Sequence, residues 1–170
     1  MRAKRLWVPL VVGLLAAVLA GPATVTADEP RVTTRSVIIP ASAFIAIDDA
    51  TGYHNEGFYL ASKVYGVYHA TLVFPVQVVS IRRITLYAVD NVAEGDVCVS
   101  LLRWAPATGS LANAGGVCTA GATGTDLQTV FTTSISPRRV STAVQGAFLM
   151  LTLYPTQNLI GVKITYSFGA

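Results

Sequence analysis

Short runs of alternating apolar and polar residues fill most of the chain after residue 35. In the segment LIGVKITYSF, every second residue from Ile160 to Tyr166 is apolar, and the residues between them are small or polar. A period of two is that of a β-strand with one face in a core. No segment after residue 35 shows a sustained helical period of 3.6 with helix caps. The pattern therefore predicts an all-β protein, an antiparallel β-sandwich of about 8–10 strands.

The candidate strands are short and are separated by turn residues. They are 36–39, 43–47, 58–61, 67–74, 81–89, 96–104, 116–119, 127–135, 147–154 and 159–167. The stretch APATGSLANAGG, residues 105–116, is rich in turn residues, and we predict that it is the loop of a long hairpin.

One predicted strand is apolar on both faces. In strand 147–154, Leu149 and Leu151 point to one side, while Phe148 and Met150 make the other side apolar as well. We expect this strand to be covered on both sides or to lie at an interface, which makes oligomerisation through it an open alternative.

The first 27 residues have the three-part layout of a signal peptide. A basic start with Arg2, Lys4 and Arg5 precedes an apolar run from Leu6 to Ala20, which is short for a membrane span. We therefore expect cleavage before residue 28, a secreted, extracellular product and no stable membrane insertion afterwards. The expected organisation is a signal peptide at 1–27, a flexible segment at 28–35 and one domain at 36–170.

The net charge of +3 belongs to this first segment. Three of the twelve Lys and Arg residues lie there, so residues 28–170 contain nine basic and nine acidic side chains. Nucleic-acid binding requires a concentrated positive surface. The chain offers only the pairs Arg82-Arg83 and Arg138-Arg139, so we expect no nucleic-acid partner.

The two cysteines of the chain are Cys98 and Cys118. An even pair in an exported protein most simply forms a disulfide, which stabilises a fold by roughly 3 kcal/mol when it closes a loop of about 20 residues. A zinc site would need four ligands, and the chain has only two histidines and no C-x-x-C spacing.

Four segments together resemble a class of uncharacterised secreted bacterial β-sandwich proteins. The segments are IPASAFIA, HATLVFPVQVVSIRRITLYAVD, DVCVSLLRW and LIGVKITYSF, and the resemblance covers most of residues 38–166. The resemblance implies a jelly-roll-like fold and export. It supplies no catalytic residues, and it does not account for the cysteine pair.

The segment DDATGYHNEGFYL, residues 48–60, concentrates the residues that could carry chemistry. The candidate ligand-binding residues are Asp48, Asp49, Tyr53, His54, Asn55, Glu56 and Tyr59. The spacing does not fit an EF-hand loop, because neither Asp register places Gly at position 6. A calcium site of another kind, with Asp48 or Asp49 and Glu56 as ligands, stays open, and otherwise we expect no cofactor.

Two kinds of function fit this segment. Its carboxyl groups could act as acid and base in a small exported hydrolase, although the chain has no G-x-S-x-G motif and its other histidine, His69, fits a structural role. Alternatively, Tyr53 and Tyr59 could stack on sugar rings while the polar residues bind hydroxyl groups. We expect a non-catalytic module that binds carbohydrate or a protein at a cell surface. A structural, self-associating protein is the other non-enzymatic alternative.

Overall fold

The computed structural model describes residues 31–47 and 52–169. The predicted signal peptide, residues 1–27, lies outside the described residues. Within these residues the chain forms twelve strands and one 3-10 turn at Ala41–Ala43. The strands are β1 (Thr33–Pro40), β2 (Ile45–Ala46), β3 (Tyr53–Asn55), β4 (Leu60–Ser62), β5 (Gly66–Leu72), β6 (Val78–Val89), β7 (Cys98–Ala105), β8 (Ser110–Cys118), β9 (Leu127–Thr132), β10 (Arg139–Ser141), β11 (Gly146–Leu153) and β12 (Asn158–Phe168). None of the described segments is a helix that is long and apolar enough to cross a membrane.

The strands form two antiparallel sheets, so the predicted β-sandwich is confirmed. In the seven-stranded sheet, β6 and β12 are the central pair. On one side β9 and β10 pair with β6, and on the other side β1 and β4 pair with β12, with β3 beyond β4. The five-stranded sheet has the order β2-β5-β11-β7-β8.

The core lies between the two sheets and is made by alternate residues of each strand. In β11, Leu149, Leu151 and Leu153 are fully buried in this core, as the sequence predicts. The intervening Phe148 and Met150 point to the outer side of the sheet and are half-buried. The central strand of the five-stranded sheet therefore has one face in the core and one apolar face turned outward.

The prediction of a loop at 105–116 is wrong for its second half. Residues 110–116 belong to β8, which pairs with β7 from Cys98↔Cys118 to Ala105↔Ser110 and contains a bulge near Ala114. This strand lies at the edge of its sheet and consists largely of small residues. The strand is defined by its backbone pairing with β7, and its sequence has no alternation of apolar and polar side chains that would predict a strand.

Three smaller features also differ from the sequence predictions. The strands β3 and β10 have three residues each and were not predicted. Residues 33–35, assigned to a flexible segment, are the start of β1 and pair with the end of β12. Ile160 is 38% exposed, because a register shift in β12 places it outside the core.

Three loops at one end of the sandwich are joined by the buried carboxyl group of Asp90. Its Oδ1 accepts hydrogen bonds from Gln157 Nε2 at 2.8 Å and from the Val92 backbone N–H at 3.2 Å. Its Oδ2 accepts the hydroxyl proton of Thr119. Since Asp90, Thr119 and Gln157 lie after β6, β8 and β11, this network fixes the three loops relative to one another.

The disulfide between Cys98 and Cys118 is present, as predicted. It joins directly opposed residues of β7 and β8 and closes a sequence separation of 20 residues.

Replacing both cysteines, Cys98→Ser with Cys118→Ser, is expected to lower the free energy of unfolding by about 3 kcal/mol, because the unfolded chain regains loop entropy. Urea unfolding of residues 28–170 measures the difference. A double variant as stable as the parent would show that the hairpin needs no bridge.

Asp90→Ala is expected to lower the free energy of unfolding by about 3 kcal/mol, because the substitution leaves buried donors of Thr119 and Gln157 without their acceptor. The matched control is Asp126→Ala, an exposed acid, which should change stability by less than about 0.5 kcal/mol. Equal effects of the two substitutions in urea unfolding would contradict the role assigned to the network.

Candidate functional site

The candidate segment 48–60 is largely a hairpin at the edge of the seven-stranded sheet. Tyr53, His54 and Asn55 form β3, and Glu56 and Tyr59 belong to the turn that leads into β4. The turn is closed by the Glu56 backbone N–H, which donates to the Tyr59 carbonyl at 3.1 Å. Asp48 and Asp49 lie outside the described residues, so their place in a site stays a prediction.

The pairing of β3 with β4 divides these residues between two faces. Tyr53 and Asn55 are opposite the buried residues Ser62 and Leu60, whereas His54 is opposite Ala61 and points the other way. The strand period therefore separates His54 from its two neighbours. The structure brings Tyr53 and Asn55 to one side but does not gather the five described candidates into one concave site.

Tyr53 is held against the core by an aromatic contact. Its ring lies edge-on to that of Tyr68, with the centroids 5.5 Å apart, and 38% of its surface stays exposed. Tyr68 is fully buried and donates its hydroxyl hydrogen bond to Ser62 Oγ at 2.8 Å. Burial raises the pKa of Tyr68 above its ordinary value of 10.0, against a smaller lowering by this hydrogen bond. The buried part of the Tyr53 ring therefore contributes to packing against the core.

No group of three or more His, Cys, Asp or Glu side chains gathers around a common point within residues 31–47 and 52–169. Among the described candidates, Glu56 is the only acid, and it is exposed at the tip of the hairpin.

A second candidate site lies on the outer side of the five-stranded sheet. Its residues are those that the strand registers place opposite to the core, and most of them are apolar. We call this surface the apolar face; it comprises Ile45, Ile47, Val67, His69, Thr71, Leu102, Trp104, Phe148 and Met150. Its members come from β2, β5, β7 and β11 and from the residue that follows β2.

Trp104 is the largest exposed side chain of the apolar face, and 47% of its surface is accessible. It pairs across the strands with Gly146, and a Cβ atom placed on that glycine would be only 3.5 Å from Trp104 Cε3. An alanine at position 146 would therefore make an ordinary contact with the indole ring, whereas a larger branched side chain would extend into the space that the ring occupies.

An open cavity of about 490 Å³ lies beside this indole ring. Its lining includes Trp104, Phe148 and Ile47, together with the polar side chains of His69 and Thr71. Among the described residues, no acidic side chain lines it, and His69 is the one titratable residue in that lining. Apolar surface with a few polar groups is the usual composition of a small-molecule site.

Sequence reasoning did not single out Trp104 or Phe148 as binding residues, and it assigned His69 a structural role. The sequence contains one indication of the apolar face, because strand 147–154 has apolar residues on both of its faces. Trp104 and Phe148 are 44 positions apart in the sequence, and only the register of β7 with β11 makes them neighbours.

Comparisons with known proteins place the chain among β-sandwich folds. No protein-family model matches it, and no curated protein matches it in sequence. It is similar to the C-terminal CBM6 of LamC, a laminarinase from Zobellia galactanivorans, with 17% identity over 77% of this chain and 99% of that one and a TM-score of 0.53. The xylan-binding module CBM15 overlaps 78% of this chain and 97% of its own, with 10% identity and a TM-score of 0.47. The carbohydrate-binding module CBM6cm-2 of Cellvibrio mixtus lichenase 5A gives 12% identity, 75% and 95% coverage and a TM-score of 0.42. The first of these similarities supports the sandwich fold.

Gly146→Val is expected to displace the Trp104 ring, because its branched side chain would occupy the space next to Cε3. The other tryptophan, Trp7, belongs to the predicted signal peptide, so in residues 28–170 fluorescence reports on Trp104 alone. We expect a red-shifted emission and stronger quenching by acrylamide.

Gly146→Ala is the matched control, since its Cβ would make an ordinary contact with the ring. If the valine and alanine variants have the same emission and quenching as the parent, the indole does not rest on this glycine.

Proposed function

We propose that this protein is a non-catalytic module that binds a neutral polysaccharide on its apolar face. The observation that carries the proposal is the exposed indole of Trp104 beside Phe148, at the edge of an open cavity whose lining among the described residues contains no acidic side chain.

The chemistry of the apolar face suits sugar rings. The C–H faces of a pyranose are apolar, and they stack on the flat surfaces of aromatic side chains such as Trp104 and Phe148. His69 and Thr71 supply hydrogen-bonding groups within the same cavity, which fix the orientation of a ligand. An uncharged polymer would lose less hydration free energy here than a charged one, because it brings no ionic group to an apolar surface.

Export fits the same proposal. A module that binds polysaccharide outside the cell needs a secretion signal, and residues 1–27 have that layout. The Cys98–Cys118 bridge is of the kind that persists in an oxidising compartment. Three similar structures are described as carbohydrate-binding modules or as a xylan-binding module, which adds support for this class of ligand.

The test is affinity electrophoresis of residues 28–170 in gels that contain laminarin, xylan or hydroxyethyl cellulose. We expect at least one polymer to retard the protein, and we expect Trp104→Ala to weaken that binding at least tenfold, which corresponds to about 1.4 kcal/mol. Phe131→Ala is the matched control, since Phe131 is exposed on the other sheet, and it should leave retardation unchanged.

The hairpin gives the competing location for a sugar site. If Tyr53→Ala or Tyr59→Ala abolishes retardation while Trp104→Ala does not, the ligand binds at β3–β4 and the proposed location is wrong. If none of the polymers retards the parent protein, the proposed ligand class is wrong.

Self-association through the apolar face is the second candidate function, favoured by the outward apolar residues of β11. Sedimentation velocity over a hundredfold range of concentration distinguishes it. A protein that stays monomeric over the whole concentration range supports an apolar face that is open to a ligand. A dimer that Trp104→Arg dissociates would assign the face to a second copy of the chain.

A further inference from the structure

A second cavity lies on the outer side of the seven-stranded sheet, near the start of β6. It has a volume of about 300 Å³. We call it the arginine cavity; its lining residues are Val32, Val78, Val79, Ser80, Arg82, Arg139, Ser167, Phe168 and Gly169. Two guanidinium groups and two hydroxyl groups therefore face the same space.

A β-bulge orients one of the two arginines. In the pairing of β6 with β12, Ile81 is opposite Tyr166 and Arg83 is opposite Thr165, so Arg82 is an extra residue. Since Ile81 points into the core, the bulge allows Arg82 and Arg83 to point outward together instead of alternating. Arg82 Nε donates to Ser167 Oγ at 2.8 Å, which holds its side chain at the cavity.

Strand pairing brings the second arginine to the same place. Arg139 of β10 is opposite Ser80 of β6, so its side chain leaves the sheet on the outer side, next to the bulge. One arginine from each of the two pairs that look isolated in the sequence, Arg82 and Arg139, thus lies at the start of β6.

Among the described residues, no acidic side chain lines the cavity to balance these charges. Of the five acids among residues 31–47 and 52–169, Asp90, Glu94 and Asp96 follow the far end of β6, and Asp126 precedes β9 at that same end. The fifth, Glu56, lies in the β3–β4 turn, at the opposite edge of the sheet from β10. Arg82 and Asp90 are eight residues apart along one strand, or roughly 25 Å, which is beyond the Debye length at physiological ionic strength.

We propose that the arginine cavity binds an oxyanion group of an acidic polysaccharide, either a uronate carboxylate or a sulfate ester. Guanidinium groups donate paired hydrogen bonds to carboxylate, sulfate and phosphate oxygens, and the hydroxyls of Ser80 and Ser167 can bind sugar hydroxyls. Two guanidinium groups match one anionic substituent, whereas nucleic-acid binding draws on many phosphate contacts. This site lies on the opposite sheet from the apolar face, so it does not depend on the function proposed above.

The test is affinity electrophoresis of residues 28–170 with polygalacturonate, which carries only carboxylates, dextran sulfate, which carries only sulfate esters, and neutral dextran, at 20 and 150 mM salt. We expect an acidic polymer to retard the protein and dextran to have no effect. The double variant Arg82→Gln with Arg139→Gln should weaken binding at least tenfold, and Arg82→Lys with Arg139→Lys, which keeps the charge but loses the forked donors, should be intermediate.

Arg138→Gln is the matched control, because it removes one charge from an exposed arginine that does not line the cavity, and it should weaken binding less than twofold. Trp104→Ala should leave this binding unchanged, which separates the result from that for neutral polymers. Thermal unfolding of each variant confirms that it is folded, and the single variant Arg139→Gln replaces the double variant if that one is not.

Three results would overturn the proposal. If neither acidic polymer retards the protein, the cavity does not bind acidic polysaccharide. Equal losses of polymer binding in Arg138→Gln and in the cavity variants would show that binding follows net charge alone. Single-stranded oligo(dT) that binds as tightly as the acidic polymers would show a general phosphate surface.

Discussion

The sandwich is held together by one layer of apolar side chains, and each strand can bury only every second residue in it. Burial of Leu149, Leu151 and Leu153 in β11 thus fixes Phe148 and Met150 on the outer side. The core determines which residues remain available for binding, although it does not determine their chemistry. The two outer sides differ strongly, since one carries a tryptophan on an apolar surface and the other carries paired arginines.

Local departures from strict alternation shape both candidate sites. At position 146 a larger branched side chain would extend into the space of the Trp104 ring, and glycine leaves that space free. At Arg82 a bulge turns two successive residues to the same side of the sheet. A bulge costs one ladder position, and this cost must be offset by packing elsewhere in the sheet. In both places the departure exposes a side chain that can contact a ligand.

The sequence predicts the long strands well, because β6, β11 and β12 each contain an extended run of apolar residues at alternate positions. It does not predict β3 or β10, since each is only three residues long. It predicts only the last residues of β8, because this edge strand consists largely of small residues. Ile160 shows the limit even in a strong strand, because a register shift moves it outside the core.

Sites are harder to predict from sequence than strands, because strand register decides which side chains become neighbours. The hairpin cluster 53–59 is visible because its residues are adjacent in the chain, and yet strand pairing then separates His54 from Tyr53 and Asn55. The apolar face is assembled from four strands, and the arginine cavity joins β6 to β10. Register brings these residues together, and bulges change that register by amounts that no local pattern specifies.

The central claim is that ligand binds against Trp104 on the apolar face. Nuclear magnetic resonance of residues 28–170 tests it most directly, because the single indole N–H signal belongs to Trp104. During titration with an oligosaccharide of a polymer that binds, this signal should shift together with the amides of β7 and β11, while those of residues 53–59 stay in place. Shifts confined to residues 53–59, with an unchanged indole signal, would contradict the account.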